Sequence, residues 1–220
     1  MEQPIGKRII VVGNSNAGKS TLAQQLAERL GVPFIELDAL YHGPNWTPAE
    51  PEVMRAAVRR AIEPESWVMA GNYLDAQQEV SWPVADTIVW LDLSLPKVLR
   101  RAVVRSWRRW RTQEDLWGTG NRENFWEHLM LWSTDKSLFA HMIKTHRDRQ
   151  RYFAAFMRDP RWAHLTFIHL RSQQEVERLL AATPAQSSGT AHAEPGRIQD
   201  SSLPTQGTAS LQEITAIEES

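Results

Sequence analysis

An octapeptide near the start of the chain, Gly13-Asn14-Ser15-Asn16-Ala17-Gly18-Lys19-Ser20, fits the pattern G-x-x-x-x-G-K-S/T and stands between two segments of opposite character. Before it runs Arg8 to Val12, a short β-branched strand. After it, Thr21 to Leu30 sets Leu22, Leu26 and Leu30 on one helical face and stops at Gly31. A strand that turns through such a loop into a helix presents a row of backbone N–H groups at the helix start, where the positive end of the helix dipole also points. Residues 13–21, closed by Thr21, therefore read as a cradle for polyphosphate. Glycines 13 and 18 allow unusual backbone angles and close approach, Lys19 neutralises β and γ oxygens, and the Ser20 hydroxyl can ligate Mg²⁺.

The rest of the chain alternates in the same way. Phe34 to Leu37, Trp67 to Ala70, Thr87 to Leu93 and Leu165 to Leu170 read as buried strands. Thr47-Pro48-Ala49-Glu50 reads as a capping box with proline in the first turn, opening a helix that carries Met54, Val58 and Ile62. A second box, Ser172-Gln173-Gln174-Glu175, opens a short helix from Val176 to Ala182. No fixed-period repeat interrupts the order. Such alternation calls for an α/β fold, a parallel sheet with helices on both faces and ligands at the carboxyl ends of the strands. The longest aliphatic run, Ile9 to Val12, is far too short to cross a bilayer, and the opening Met1-Glu2-Gln3-Pro4 lacks a leader pattern, so neither a membrane role nor export is expected. The absence of cysteine excludes disulfides, a thiolate zinc site and a cysteine nucleophile, in keeping with a reducing, cytoplasmic setting. Residues 183–220 contain no aromatic residue and set five acids against the single Arg197, a net −4 that leaves +3 on residues 1–182. They read as a disordered acidic tail following a domain that spans 1–182.

Several residues near the strand ends are candidates for chemistry. Asp38 follows the second strand and can accept a hydrogen bond from an acceptor hydroxyl or act as a base; a turn-forming aspartate is the plainer reading. Asp92 ends the run Ile88-Val89-Trp90-Leu91 in the manner of a carboxylate that helps hold Mg²⁺, or simply makes the turn before Ser94. From Arg100 to Arg111 there are six arginines and no acid. On a helix Arg101, Arg105, Arg108 and Arg109 share a face, where they repel one another unless an anion lies between them. Arginine forks suit phosphate, and an arm at about residues 100–125, with a glycine-bearing loop from Gln113 to Asn121, could close over a transferring phosphoryl group. Tryptophans 107 and 110 are interleaved with these arginines, so a nucleic-acid surface is the competing reading and a solvated basic face the plain one. Asn121 to Met157 reads as helical, with an apolar stripe of Phe139, Met142, His146, Phe153 and Phe156, and Lys144, Arg147, Arg149 and Arg151 along it. The histidines show no metal-binding spacing. Of the ten tryptophans, Trp46 and Trp82, beside prolines, are the candidates for substrate contact, and Tyr41, Asn72 and Tyr73 for the walls of the acceptor pocket.

Taken together, the loop Gly13–Ser20, Leu37-Asp38-Ala39-Leu40 with Trp46, Gly71-Asn72-Tyr73, Ala85-Asp86-Thr87-Ile88 with Leu91-Asp92, and Leu170-Arg171-Ser172 with Val176 resemble the adenylate-kinase-like P-loop NTPases, including the proteins labelled DNA topology modulation proteins. The likeness spans roughly residues 7–182. It implies a three-layer α/β/α fold of the nucleoside-monophosphate-kinase type, with a five-stranded parallel sheet in the order 2-3-1-4-5 and a helical, arginine-bearing lid after strand four. It implies ATP and Mg²⁺, with the adenine near Arg171 and Ser172; a kinase reading then has Arg101 and Arg105 stabilise charge on the moving phosphoryl group, with a nucleotide or another small molecule as acceptor. Relatives often carry an acid before the Gly-Asn-Tyr turn, where this chain has Ala70, so Asp92 or Asp38 is left to organise the metal. The label also suggests DNA as a partner, which the residue spacing does not independently support.

Overall fold

A computed structural model describes residues 5–128 and 138–185. Strand β1 (Arg8–Gly13) leads through the loop into helix α1 (Lys19–Leu30), and β2 (Phe34–Glu36) passes directly into a short helix α2 (Leu37–Tyr41). Then come α3 (Pro51–Ala61), β3 (Trp67–Ala70), α4 (Leu74–Ala76) continued by a wider turn over Gln77–Ser81, β4 (Thr87–Leu91) and the long α5 (Leu95–Thr112). The fold closes with α6 (Phe125–His128), α7 (Leu138–Phe156), β5 (Thr166–Leu170) and α8 (Gln173–Ala182). The five strands form one sheet in the order β2-β3-β1-β4-β5, and every pairing is parallel. This is the expected order. Among the described residues no helix is long and apolar enough to cross a membrane.

The strand sequences explain the layering. Successive side chains of β1 face opposite sides, so Ile9 and Val11 pack with Leu22, Leu26 and Val98 on one face, while Ile10 and Val12 pack with Met54, Val58 and Trp82 on the other. A central strand covered on both faces needs the unbroken apolar run that β1 shows. Helix α7 crosses from one layer to the other: Met142 belongs to the first core and Phe153 to the second. Between them the helix passes the carboxyl ends of β1 and β4, where His146 meets Asn14 and Gln150 meets Asp92. That path carries polar residues of α7 onto the phosphate loop.

Three boundaries differ from the sequence expectation. The Thr47–Glu50 capping box does not form; the Thr47 hydroxyl donates to the carbonyl of Pro44, and α3 starts later with Pro51 in its first turn. A short 3₁₀ turn at Pro44–Trp46 competes for the threonine, a local hydrogen bond that sequence spacing does not reveal. The second box forms on one side only: Ser172 Oγ accepts from Glu175 N–H at 3.2 Å, but the Glu175 carboxylate takes the N–H of Arg171 instead of the serine's. Thr183 is buried and its hydroxyl donates to the carbonyl of Leu179, so the folded part continues past Ala182. The tail beyond residue 185 lies outside the described residues.

Candidate active site

The loop between β1 and α1 is held from behind. Gly13 has φ 143°, and a Cβ there would lie 2.4 Å from the carbonyl oxygen of Leu91, so no other residue fits without moving β4. Asn72 grips the same residue from the neighbouring strand end: its Oδ1 accepts from Gly13 N–H at 3.1 Å and its Nδ2 donates to the Gly13 carbonyl at 2.6 Å. Asn72 is thus a clamp on the loop and not a wall of the acceptor pocket. Asn14, almost fully buried, accepts from Ser15 N–H at 2.8 Å and from Arg149 Nη1 at 3.2 Å through Oδ1, and its Nδ2 meets Nδ1 of His146 at 2.8 Å. Gly18, with φ 99°, begins α1 in a left-handed conformation that turns the chain into the helix.

In front of the loop opens a cavity of about 1120 Å³. Ser15, Asn16, Ala17, Gly18, Lys19, Ser20 and Thr21 line it, joined by Asp38, Arg101 and Arg105 from the sequence reading. Gly13 and Asn14 stand behind this wall. The Lys19 ammonium donates to the carbonyl of Asn14 at 3.1 Å, folded back over the loop. Burial draws its pKa down to about 8; the carboxylates of Asp38 and Glu36 pull it up, and the charges of Arg149 and Arg105 push it down.

Glu36 was not among the sequence candidates. As the last residue of β2 it reaches the cavity beside Ser20, whose hydroxyl hydrogen-bonds it, and burial lifts its pKa to about 7. In the unfolded chain the same carboxyl ionises near 4.5, so between that pH and 7 the folded protein holds a proton that the unfolded chain has released, and stability falls as pH rises through this window. Glu36→Gln is therefore expected to raise the Tm of the ligand-free protein at pH 8, by on the order of 5 °C, and to change it little at pH 4. Thermal melts at the two pH values check this.

Asp38, one residue inside α2, accepts from the Tyr73 hydroxyl at 2.8 Å through Oδ1. Burial, with the same carboxylate beside it, holds the Tyr73 phenol above its usual pKa. Arg101 bridges the loop and the last helix, donating to the Ala17 carbonyl at 2.9 Å and to Gln173 Oε1 at 2.8 Å. Arg105 and Arg109 flank Glu123, at 3.8 and 2.6 Å. The anion that relieves the arginine face is thus partly supplied by the protein itself. Arg149, from α7, stands beside the loop and also meets Nε2 of His141 at 3.3 Å.

Three expected contacts are not made. Asp92 is off the cavity wall: Gln150 donates to its Oδ1 at 2.7 Å, His169 meets its Oδ2 at 2.9 Å, and its N–H donates to the Leu170 carbonyl, so it ties β4 to β5 and α7. Arg171 is exposed and lies near His169, while Gln173 and Val176 occupy the cavity wall at that end. Trp82 has no exposed surface and packs against Phe156 and Trp162 in the core. Trp46 does line the cavity.

The sheet order and the loop, with lysine and serine at the helix start, define a P-loop nucleotide-binding architecture. No protein-family model matches the chain. It is 30% identical over 118 residues to a shikimate kinase of Paramagnetospirillum magneticum, a match that covers 47% of this chain and spans 60% of the length of that relative. Among solved structures it is similar to a shikimate kinase from Bacteroides thetaiotaomicron, at 18% identity and a TM-score of 0.48, covering 80% of this chain and 94% of that one. A gluconokinase from Sinorhizobium meliloti aligns at 19% identity and a TM-score of 0.43, covering 81% and 94% of the two chains.

Proposed function

We propose that the chain is a kinase that moves the γ-phosphoryl group of ATP onto a hydroxyl of a small acceptor. The observation that carries this reading is the meeting of Lys19 with two carboxylates, Glu36 and Asp38, in one cavity with the phosphate loop. A nucleotide-binding regulator needs the loop and the lysine; a second carboxylate turned to the place where the outer phosphate ends is what a transfer reaction adds. The curated relative's name, a kinase of a small hydroxylated acid, agrees with it.

In this reading the amides of residues 15–20 and the Lys19 ammonium receive the triphosphate. Arg101, Gln173 and Val176 bound the end of the cavity that takes the base, the part first given to Arg171. Mg²⁺ fits the donor set: the Ser20 hydroxyl and the buried Glu36 carboxylate are hard oxygen ligands, and a carboxyl whose ionised form is disfavoured in the free protein is relieved by a cation beside it. The ion would neutralise charge on the β and γ oxygens. Asp38 is turned by Tyr73 so that Oδ2 is free of that bond and can take the acceptor's proton. The acceptor oxygen bonds to the γ-phosphorus, the bond from that phosphorus to the β,γ-bridging oxygen breaks, and ADP leaves. Arg105 and Arg149 stabilise the charge on the moving group, with Lys19.

The alternative of an ATP-binding regulator that grips DNA would rest on the exposed Arg100, Arg108 and Arg111, since the other three of the cluster, Arg101, Arg105 and Arg109, are engaged at the cavity by Ala17, Gln173 and Glu123. The likeness to topology modulation proteins stays a likeness of motifs. A cytoplasmic setting and an appended tail after the folded domain complete the proposal. Calorimetry with ATP and Mg²⁺, followed by ADP release with and without small hydroxylated compounds, tests it. Heat of binding and acceptor-dependent ADP release are expected; binding without any acceptor-dependent release would reduce the protein to a nucleotide-binding one.

A further inference from the structure

The cavity is larger than the ~300–1,000 Å³ usual for a single small ligand, and its far end is built differently from the phosphate end. Three aromatic rings line it. His42 and Trp117 lie nearly parallel, with centroids 5.6 Å apart and planes at 14°, and Trp46 stands almost perpendicular to both, at 79° and 88°. The result is a corner of flat walls beside Asp38. Trp46 and Trp117 each adopt a left-handed backbone, φ 59° and 58°, a conformation bulky side chains rarely accept. Neither repays that strain by packing into the core, since they are 41% and 36% exposed. Strain kept at exposed aromatic residues around a cavity is the mark of a binding surface.

The two tryptophans come from loops 71 residues apart, and one side chain joins them. Asn121, 3% exposed, accepts from Trp46 N–H at 2.9 Å and donates to the Gly43 carbonyl at 2.9 Å. Its own backbone closes the loop bearing Trp117, taking the N–H of Leu116 at 3.0 Å. The corner therefore exists only while the loop after α5 is fastened to the turn after α2. Within it, Nδ1 of His42 is buried without a hydrogen-bond partner.

We infer that His42, Trp46 and Trp117, fastened by Asn121, form the acceptor seat, and that it takes a hydroxylated compound with a ring whose flat face lies on a tryptophan. This rests on the kinase reading above. A ring, aromatic or saturated, sets an extended π or C–H face on an indole with few torsions to freeze, while an open-chain polyol has no such face and loses more freedom on ordering. Asp38, on the same wall, then meets its hydroxyl.

The test measures ADP release with myo-inositol, glucose and adenosine against glycerol, sorbitol and gluconate, in wild type, Trp117→Ala, Trp117→Phe and Asn121→Ala. Turnover is expected with ring-bearing acceptors, and the two alanine variants should raise the acceptor KM about tenfold while the KM for ATP is unchanged and Trp117→Phe stays near wild type. The unchanged KM for ATP separates this from loss of folding. Equal or better turnover of open-chain compounds, no turnover with any of the three rings, or an unaltered acceptor KM in both alanine variants would overturn the inference. Absence of heat with ATP and Mg²⁺ overturns the kinase reading instead, so the two failures are distinguishable.

Discussion

Lys19→Met is expected to lower kcat/KM for ATP by on the order of 10³-fold, the usual effect of removing one preorganised charge from a transferring group. Methionine keeps the length and bulk of the stem, so the loss reports the ammonium and not a cavity. The environment of the residue sharpens the expectation. The ammonium is buried beside two carboxylates and two guanidinium groups, and its pKa of about 8 leaves it mostly charged at neutral pH. Above pH 8 it loses its proton in the free protein, and below pH 7 the Glu36 carboxylate gains one. The kcat/KM profile of the wild type is therefore expected to be bell-shaped with limbs near 7 and 8, and Lys19→Met to lack the alkaline limb. Steady-state kinetics across pH 5–10 check both statements. Wild-type rates in the variant would remove the loop from the reaction.

Asp38→Asn is expected to lower kcat by about 10²- to 10⁴-fold with little change in the KM for ATP, since the amide preserves shape and loses the proton acceptor. Tyr73 serves as the control. Its hydroxyl donates to the carboxylate at 2.8 Å while its ring packs on Tyr41, so Tyr73→Phe, which removes the bond and keeps the ring, is expected to reduce kcat far less than Asp38→Asn. Stopped assays with the two variants at saturating ATP separate the cases. Equal losses in both would make Asp38 a structural residue that orients the tyrosine.

The parts of this architecture that were legible are those governed by neighbours in the sequence. Alternating apolar runs and helical stripes place the five strands, because burial on both faces of a parallel sheet leaves a continuous pattern. The loop was legible for a similar reason, since its glycines and Lys19 answer to local backbone geometry. Asp38 and Arg105 were found as residues near strand ends or on one helix face, and both do line the cavity. Asp92 shows the limit. A carboxylate after an apolar strand looks the same in sequence whether it faces a cavity or, as here, His169 and Gln150, two partners brought in by β5 and α7. Glu36 left a faint signal, an acid interrupting the buried run Phe34-Ile35-Glu36-Leu37, and Arg149 a better one. Met142, His146, Arg149, Gln150 and Phe153 share one helical stripe, and a polar stretch in the middle of an apolar stripe marks where α7 passes the strand ends. Glu123 fell inside the helix read from Asn121, but α6 begins only at Phe125, and its pairing with Arg105 and Arg109 depends on how the chain returns after α5.

The grip of Asn72 on both polar atoms of Gly13 has a consequence beyond the loop itself. Because the first peptide of the cradle is tethered to the end of β3, its amides are already arranged before any ligand arrives, and their ordering is charged to folding instead of to association. Damage to the sheet near Met69 or Ala70, neither of which lines the cavity, should then surface as weaker nucleotide capture before it surfaces as unfolding.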